Sequence, residues 1–146
     1  MNTSVLINLG LLIIAVVAMV ISIIQLRSHN NKENNKLLSQ LNKRYVEDKN
    51  VQKVVRYLRE NEPSDEEPDA YQVELFLRFF EELGIYLKTK SIRKEDVEEF
   101  FGFYFERYED ADNERGKILK AKINHEDADA DLPYLGVYRK EMNINQ

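Results

Sequence analysis

The chain has 146 residues, five glycines, three prolines and no cysteine, with a formal net charge of -5. That length suits one compact domain with an appendage, and the missing cysteine excludes disulfides, thiolate nucleophiles and cysteine-ligated zinc. The charge is split, with nine Lys/Arg against four Asp/Glu in residues 1–60 and twelve against twenty-two in residues 61–146; so acidic a distal half argues against a nucleic-acid partner, whose phosphates it repels.

From Val5 to Leu26 the chain reads VLINLGLLIIAVVAMVISIIQL, and the first 26 positions hold no charged residue. A helix of that length is roughly 33 Å long, enough to cross a hydrocarbon core of about 30 Å. The polar exceptions Asn8, Ser22 and Gln25 sit near its ends, where their side chains reach the interface. A cleaved signal peptide fits less well: no Lys or Arg precedes the run, the run is too long, and Ile24-Gln25-Leu26 is a poor cleavage site. Residues 1–26 are therefore expected to be a single transmembrane anchor in the lipid bilayer.

Arg27, Lys32, Lys36, Lys43 and Arg44 follow the run, against Glu33 alone. This bias places the amino terminus outside and the rest of the chain in the cytoplasm, with a bacterial plasma membrane as the expected setting. Residues 27–47 read as a basic juxtamembrane helix or linker, with SHNNKENNK as its frayed part. The basic charges also suit anionic lipid, although topology alone accounts for them. Gly10, Ala15 and Ala18 do not fall at spacing four, so no packing motif among them supports anchor dimerisation.

Residues 48–125 are expected to form an acidic helical domain. Leu37, Leu38, Leu41 and Tyr45 recur at helical spacing, and Val51, Val54, Val55 and Leu58 do so again with Arg56 and Arg59 outward. Asp48 or Asn50 is placed to cap the second run. ENEPSDEEPDA is an exposed connection. Val73, Phe76, Leu77, Phe80, Leu83, Gly84 and Leu87 then define one helical face, which Leu75, Phe79 and Tyr86 widen, so this helix is expected to be central. After KTKSIRK a further helix turns Val97, Phe100, Phe101, Tyr104 and Tyr108 inward, with Glu95, Asp96, Glu98 and Glu99 near its N-terminal dipole. KILKAKI supplies Ile118, Leu119 and Ile123. Residues 126–146, with a Pro133–Gly136 turn, are expected to pack on the domain or to be partly disordered. No period-two alternation is sustained, so the expected fold is all-α, an antiparallel bundle joined by short loops.

The stretch FFEELGIYLKTKSIRKEDVEEFFGFYFERY resembles an uncharacterised family of single-span, membrane-anchored helical proteins, a domain of unknown function. The matching positions are Phe79, Phe80, Glu81, Glu82, Leu83 and Gly84, then Ile92, then Glu95, Asp96, Val97, Phe101 and Gly102. The resemblance implies an anchor followed by a short helical domain and carries no activity with it.

Chemistry finds little purchase. Asp110-Ala-Asp112-Asn113-Glu114-Arg115-Gly116 opens like a calcium loop, but Arg115 takes the position that needs Gly and Ala121 the position that needs Glu. Asp127, Asp129 and Asp131 alternate, with Leu132 and Tyr138 at those positions. His29 and His125 have no ligand-spaced partner. Ser39, Ser64 and Ser91 lack a nucleophile elbow, and no glycine-rich phosphate loop occurs. No metal and no cofactor are expected. Arg78, Glu81, Glu98 and Arg107 are candidates for buried ion pairs, because a buried carboxylate demands a partner.

Three function classes remain. The first is a protein-interaction or regulatory module at the inner face of the membrane, with Phe103 and Phe105 as the partner surface; the plainer alternative packs both against Leu135 and Tyr138. The second is a membrane-associated enzyme using Asp/Glu residues that converge in a concave pocket. The third is a homo-oligomeric structural element that self-associates through its anchor.

Overall fold

The computed structural model describes residues 3–59, 66–123 and 132–144, the side chains of residues 3–11 and 13 excepted. All the elements described are helical, so the fold is all-α. The chain divides into two compact units, Met1–Lys36 and Leu37–Gln146.

Helix α1, Thr3–Glu47, runs through both the apolar segment and the Asn-rich one. SHNNKENNK is thus helical where a frayed linker is one of the expectations. Asn costs only a few tenths of a kcal/mol per residue in a helix already propagating on both sides. In the first unit the large apolar side chains described, Leu12, Ile14 and those from Val16 to Leu26, are exposed. The Ser22 hydroxyl donates to the Ala18 carbonyl at 2.8 Å, so the one hydroxyl in this stretch is satisfied within the helix. Among the described residues no helix is long and apolar enough to cross a membrane. The expected span Val5–Leu26 falls only in part among the described side chains.

The second unit begins with the end of α1, where Leu38, Leu41 and Tyr45 are buried. Asp48 breaks the helix and starts α2, Lys49–Leu58, by accepting from the backbone N–H groups of Asn50 and Val51 at 2.9 and 3.2 Å. Of the two capping candidates, Asp48 is therefore the cap. Val51, Val54, Val55 and Leu58 are buried and Arg56 and Arg59 exposed, as their spacing requires. The connection that follows lies outside the described residues for 60–65. Beyond it Glu66 pairs with Lys53 at 2.8 Å and Glu67 pairs with Lys122.

Helix α3, Ala70–Lys88, opens with a capping box: Asp69 accepts from the N–H of Gln72, and the Gln72 side chain accepts from the N–H of Asp69. All seven residues of its expected inner face are buried, with Phe79 beside them and Leu75 and Tyr86 half-buried. Contacts to α2 and, most extensively, to the C-terminal helix make α3 central. Ile92 is buried and pins the connector to α4, Lys94–Val97. A π-turn, Glu98–Gly102, carries the chain into α5, Phe103–Glu109.

Helix α6, Glu114–Ala121, starts where Asn113 accepts from the N–H of Gly116 at 3.0 Å. Leu119 is buried, Ile123 half-buried, and Ile118 lies outside the core, against expectation. Helix α7, Pro133–Glu141, replaces the expected turn. Pro133 occupies the first turn, where its fixed φ and missing N–H favour initiation rather than arrest. Leu132, Leu135, Tyr138 and Met142 place this segment in the core.

Candidate functional site

The residues that stand out are on the continuous stretch from α4 through α5. Arg93 and Asp96 pair at 2.7 Å at its start. Val97, Phe101, Phe105 and Tyr108 are fully inside. Phe101 meets Tyr45 and Phe79, each at 5.3 Å between ring centroids, and Phe105 meets Phe80 at 4.6 Å and Tyr138 at 4.8 Å. Phe100 and Phe103, by contrast, are 49% and 57% exposed.

Two expectations are corrected here. Phe105, a candidate for the partner surface, is buried against Tyr138, as the plainer alternative has it, while Phe103 is exposed; and Phe100, expected inside, is out. Val97, Phe101, Phe105 and Tyr108 follow at spacings of four, four and three and so form one helical face. The inward face runs through these residues rather than through positions 97, 100, 104 and 108, which share the neighbouring face, and Tyr104 lies at the boundary. The π-turn Glu98–Gly102 falls within this stretch.

The surroundings of the two exposed rings are specific. Tyr104 lies 5.0 Å from Phe103, edge to face, and its hydroxyl accepts from Arg59 Nη2 and Nε at 2.8 and 3.0 Å. The Arg107 guanidinium lies 5.4 Å from the Phe103 centroid and that of Arg59 lies 5.7 Å from the Tyr104 centroid, both at cation–π range. Glu95, Glu99 and Glu106 are exposed on the same stretch, and among the described residues none forms an ion pair. Glu106 falls three after Phe103 on α5 and so neighbours it on the helix surface. Phe, Tyr and Arg in this mixture are the residue types that concentrate binding energy at protein interfaces.

The four residues expected to form buried ion pairs do not pair with one another. Arg78 donates to Glu74 at 2.7 and 2.9 Å on an exposed face of α3. Glu81 is half-buried, Glu98 is exposed, and Arg107 stacks over Phe103. The buried ion pair is elsewhere: Glu109 meets Arg139 at 2.9 Å and Lys120 at 3.3 Å, with Glu109 and Arg139 about nine-tenths covered. Its signal in the sequence is the spacing of Leu135, Tyr138 and Met142, which makes residues 133–142 a core-facing helix that carries Arg139 inward.

A cleft of about 160 Å³ is lined by Arg44, Asp48, Val51, Leu75, Arg78, Phe79 and Glu82. Its charged groups are engaged with one another or with the backbone: Arg44 with Glu82, Arg78 with Glu74, and Asp48 with the first turn of α2. The acidic turn after α5 is used the same way. Asp110 accepts from the N–H of Asp112 at 2.9 Å and Asn113 caps α6. Among the described residues no three potential metal ligands converge. His29, Ser39 and Ser91 are exposed. Ser64, His125, Asp127, Asp129 and Asp131 lie outside the described residues.

Burial raises the hydroxyl pKa of both Tyr45 and Tyr138 well above the usual tyrosine range, chiefly through desolvation. Both are neutral core groups, and neither is placed for proton transfer at ordinary pH. No protein-family model, curated protein or solved structure matches the chain.

Proposed function

We propose that this chain is a membrane-tethered protein-interaction module, with Phe100 and Phe103 as the centre of its docking face. The observation that carries the reading is the contrast within one helical stretch: Phe101 and Phe105 are 1% and 0% exposed while Phe100 and Phe103 stand about half in solvent. Large apolar rings held out by a rigid, well-packed helix mark a contact surface, because a core free to bury them gains by doing so.

The tether rests on the uncharged run Val5–Leu26 and on the exposed apolar side chains of its described part. Such a surface on all sides of one helix matches the demands of lipid. The resemblance to single-span helical proteins of unknown function supports the same architecture. With Arg27, Lys32 and Lys36 beyond the run, the helical domain faces the cytoplasm, where tethering raises its effective concentration toward partners in the same membrane.

The tether is tested by alkaline extraction of membranes that contain the full chain. Retention in the pellet is expected, and release into the supernatant removes the tether. The docking face is tested by a photo-crosslinking group at position 103 in the full chain, with one at Tyr71, an exposed ring on α3, as control. A discrete adduct from position 103 and none from position 71 is expected; no adduct from position 103 refutes the docking face.

A further inference from the structure

Independently of that docking face, we infer that the cleft between the α1–α2 junction and α3 binds a small zwitterion, an α-amino acid with an apolar side chain. Arg44, Arg78, Asp48 and Glu82 line this cleft around an apolar floor of Val51, Leu75 and Phe79. Leu75, Arg78, Phe79 and Glu82 lie on one side of α3, three or four positions apart or adjacent. The lining is formally neutral, with charges of both signs above apolar side chains.

Two of these groups keep bonding capacity that the fold does not use. Asp48 Oδ1 accepts both cap bonds, from the N–H groups of Asn50 and Val51, while Oδ2 accepts none among the described residues. Arg44 donates to Glu82 through Nη2, and among the described residues its Nε and Nη1 have no hydrogen-bond partner. Its guanidinium lies 5.5 Å from the Phe79 centroid, beside the floor. Asp48 follows one turn later, its backbone N–H donating to the Arg44 carbonyl at 2.9 Å. A planar fork of donors that matches a carboxylate thus stands one helical turn from an open carboxylate oxygen. An α-amino acid carries the complementary pair, carboxylate and ammonium, on one carbon.

The other two charges are already held. Arg78 pairs with Glu74, which is not in the lining, and Glu82 also accepts from the Tyr86 hydroxyl at 3.2 Å. Charge and size then select the ligand class. A simple anion meets Asp48 and Glu82, and a simple cation meets Arg44 and Arg78, so each gains one attraction against one repulsion. A zwitterion satisfies both signs while its side chain covers the floor. At about 160 Å³ the cleft is smaller than the ~300–1,000 Å³ of sites for drug-sized ligands, which suits a free amino acid.

The test is isothermal titration calorimetry of the full chain in nanodiscs with L-leucine, with empty nanodiscs as the blank. Two analogues are titrated alongside: isocaproate, which lacks the ammonium, and isoamylamine, which lacks the carboxylate. Saturable binding of leucine is expected, with each analogue weaker by about tenfold or more, ~1.4 kcal/mol. Arg44→Gln and Asp48→Asn should each weaken leucine by a similar factor, and Asn preserves the cap of α2. Arg56→Gln, on the exposed face of α2, is expected to bind as wild type does. No saturable heat from leucine overturns the inference, and so does equal affinity for leucine and either analogue. Unchanged leucine affinity in both variants puts the ligand outside this cleft and overturns it as well. Far-UV circular dichroism checks the variants, and if either loses helicity the analogue series decides.

Discussion

The carbonyl oxygen of Tyr134 lies 2.2 Å from where a Cβ on Gly84 would be. Helices α3 and α7 therefore meet backbone to backbone at this point, and only the missing side chain allows it. Gly84→Ala gains up to about 1 kcal/mol of helix propensity but must push α7 away from the core. A net loss of about 1–3 kcal/mol is expected, as for other overpacked sites. Urea denaturation followed by tyrosine fluorescence measures it, and an unchanged midpoint contradicts the close approach.

Two phenylalanines two positions apart on α5 face opposite ways, Phe103 to solvent and Phe105 to the core. Phe105→Ala should cost about 3–5 kcal/mol, because it empties a site enclosed by Phe76, Phe80, Tyr108 and Tyr138. Phe103→Ala should change stability by no more than about 0.5 kcal/mol. The same denaturation experiment reads both. Equal costs would mean that Phe105 is not enclosed by these rings.

Glu109 is held by two cations of unequal burial. Arg139, with its side chain 10% exposed, should matter more than Lys120 at 24%. Arg139→Met leaves Glu109 with one partner, and a loss of about 2–3 kcal/mol is expected, below the full cost of an orphaned buried charge. Lys120→Met should cost less. A double-mutant cycle with Glu109→Gln should recover part of the Arg139 loss, and strict additivity would show that the three groups do not interact.

Burial raises the pKa of Tyr45 and Tyr138 in the folded chain, while in the unfolded chain each titrates near 10. Above that pH the unfolded state releases protons that the folded state keeps, so stability falls as pH rises. The contribution is fully present below about pH 10 and declines above it by about 1.4 kcal/mol per pH unit for each tyrosine. Tyr138→Phe should reduce the slope between about pH 10 and 11.5 by about 1.4 kcal/mol per pH unit, the share of one tyrosine. A slope that does not respond to this substitution would place the Tyr138 hydroxyl in solvent.

Much of the helical domain could be read from spacing. The inner face of α3 is a run of large apolar residues with one period, and every member is buried. The Asp48 cap and the α2 face follow from equally local rules. Errors gathered where a local rule met a long-range one. FFGFYF offers four phenylalanines within six residues, and two registers of the same helix bury equally attractive pairs. Pro133 reads as a breaker, whereas it stands in the first turn of a helix whose Leu135 and Tyr138 are buried.

The sequence by itself determined that the chain is helical, that an uncharged apolar run opens it, and that α3 lies at the centre of the domain. Periodicity and composition are properties of neighbours along the chain, and they suffice for that. Only the tertiary structure decided which face of FFGFYF points outward, because that depends on what Phe101 and Phe105 pack against: Tyr45 from α1, Phe79 and Phe80 from α3, and Tyr138 from α7. It also joined Glu109 to Arg139, thirty residues apart. Both depend on distant segments arriving together, and the free energy of those contacts is nowhere encoded in a local pattern.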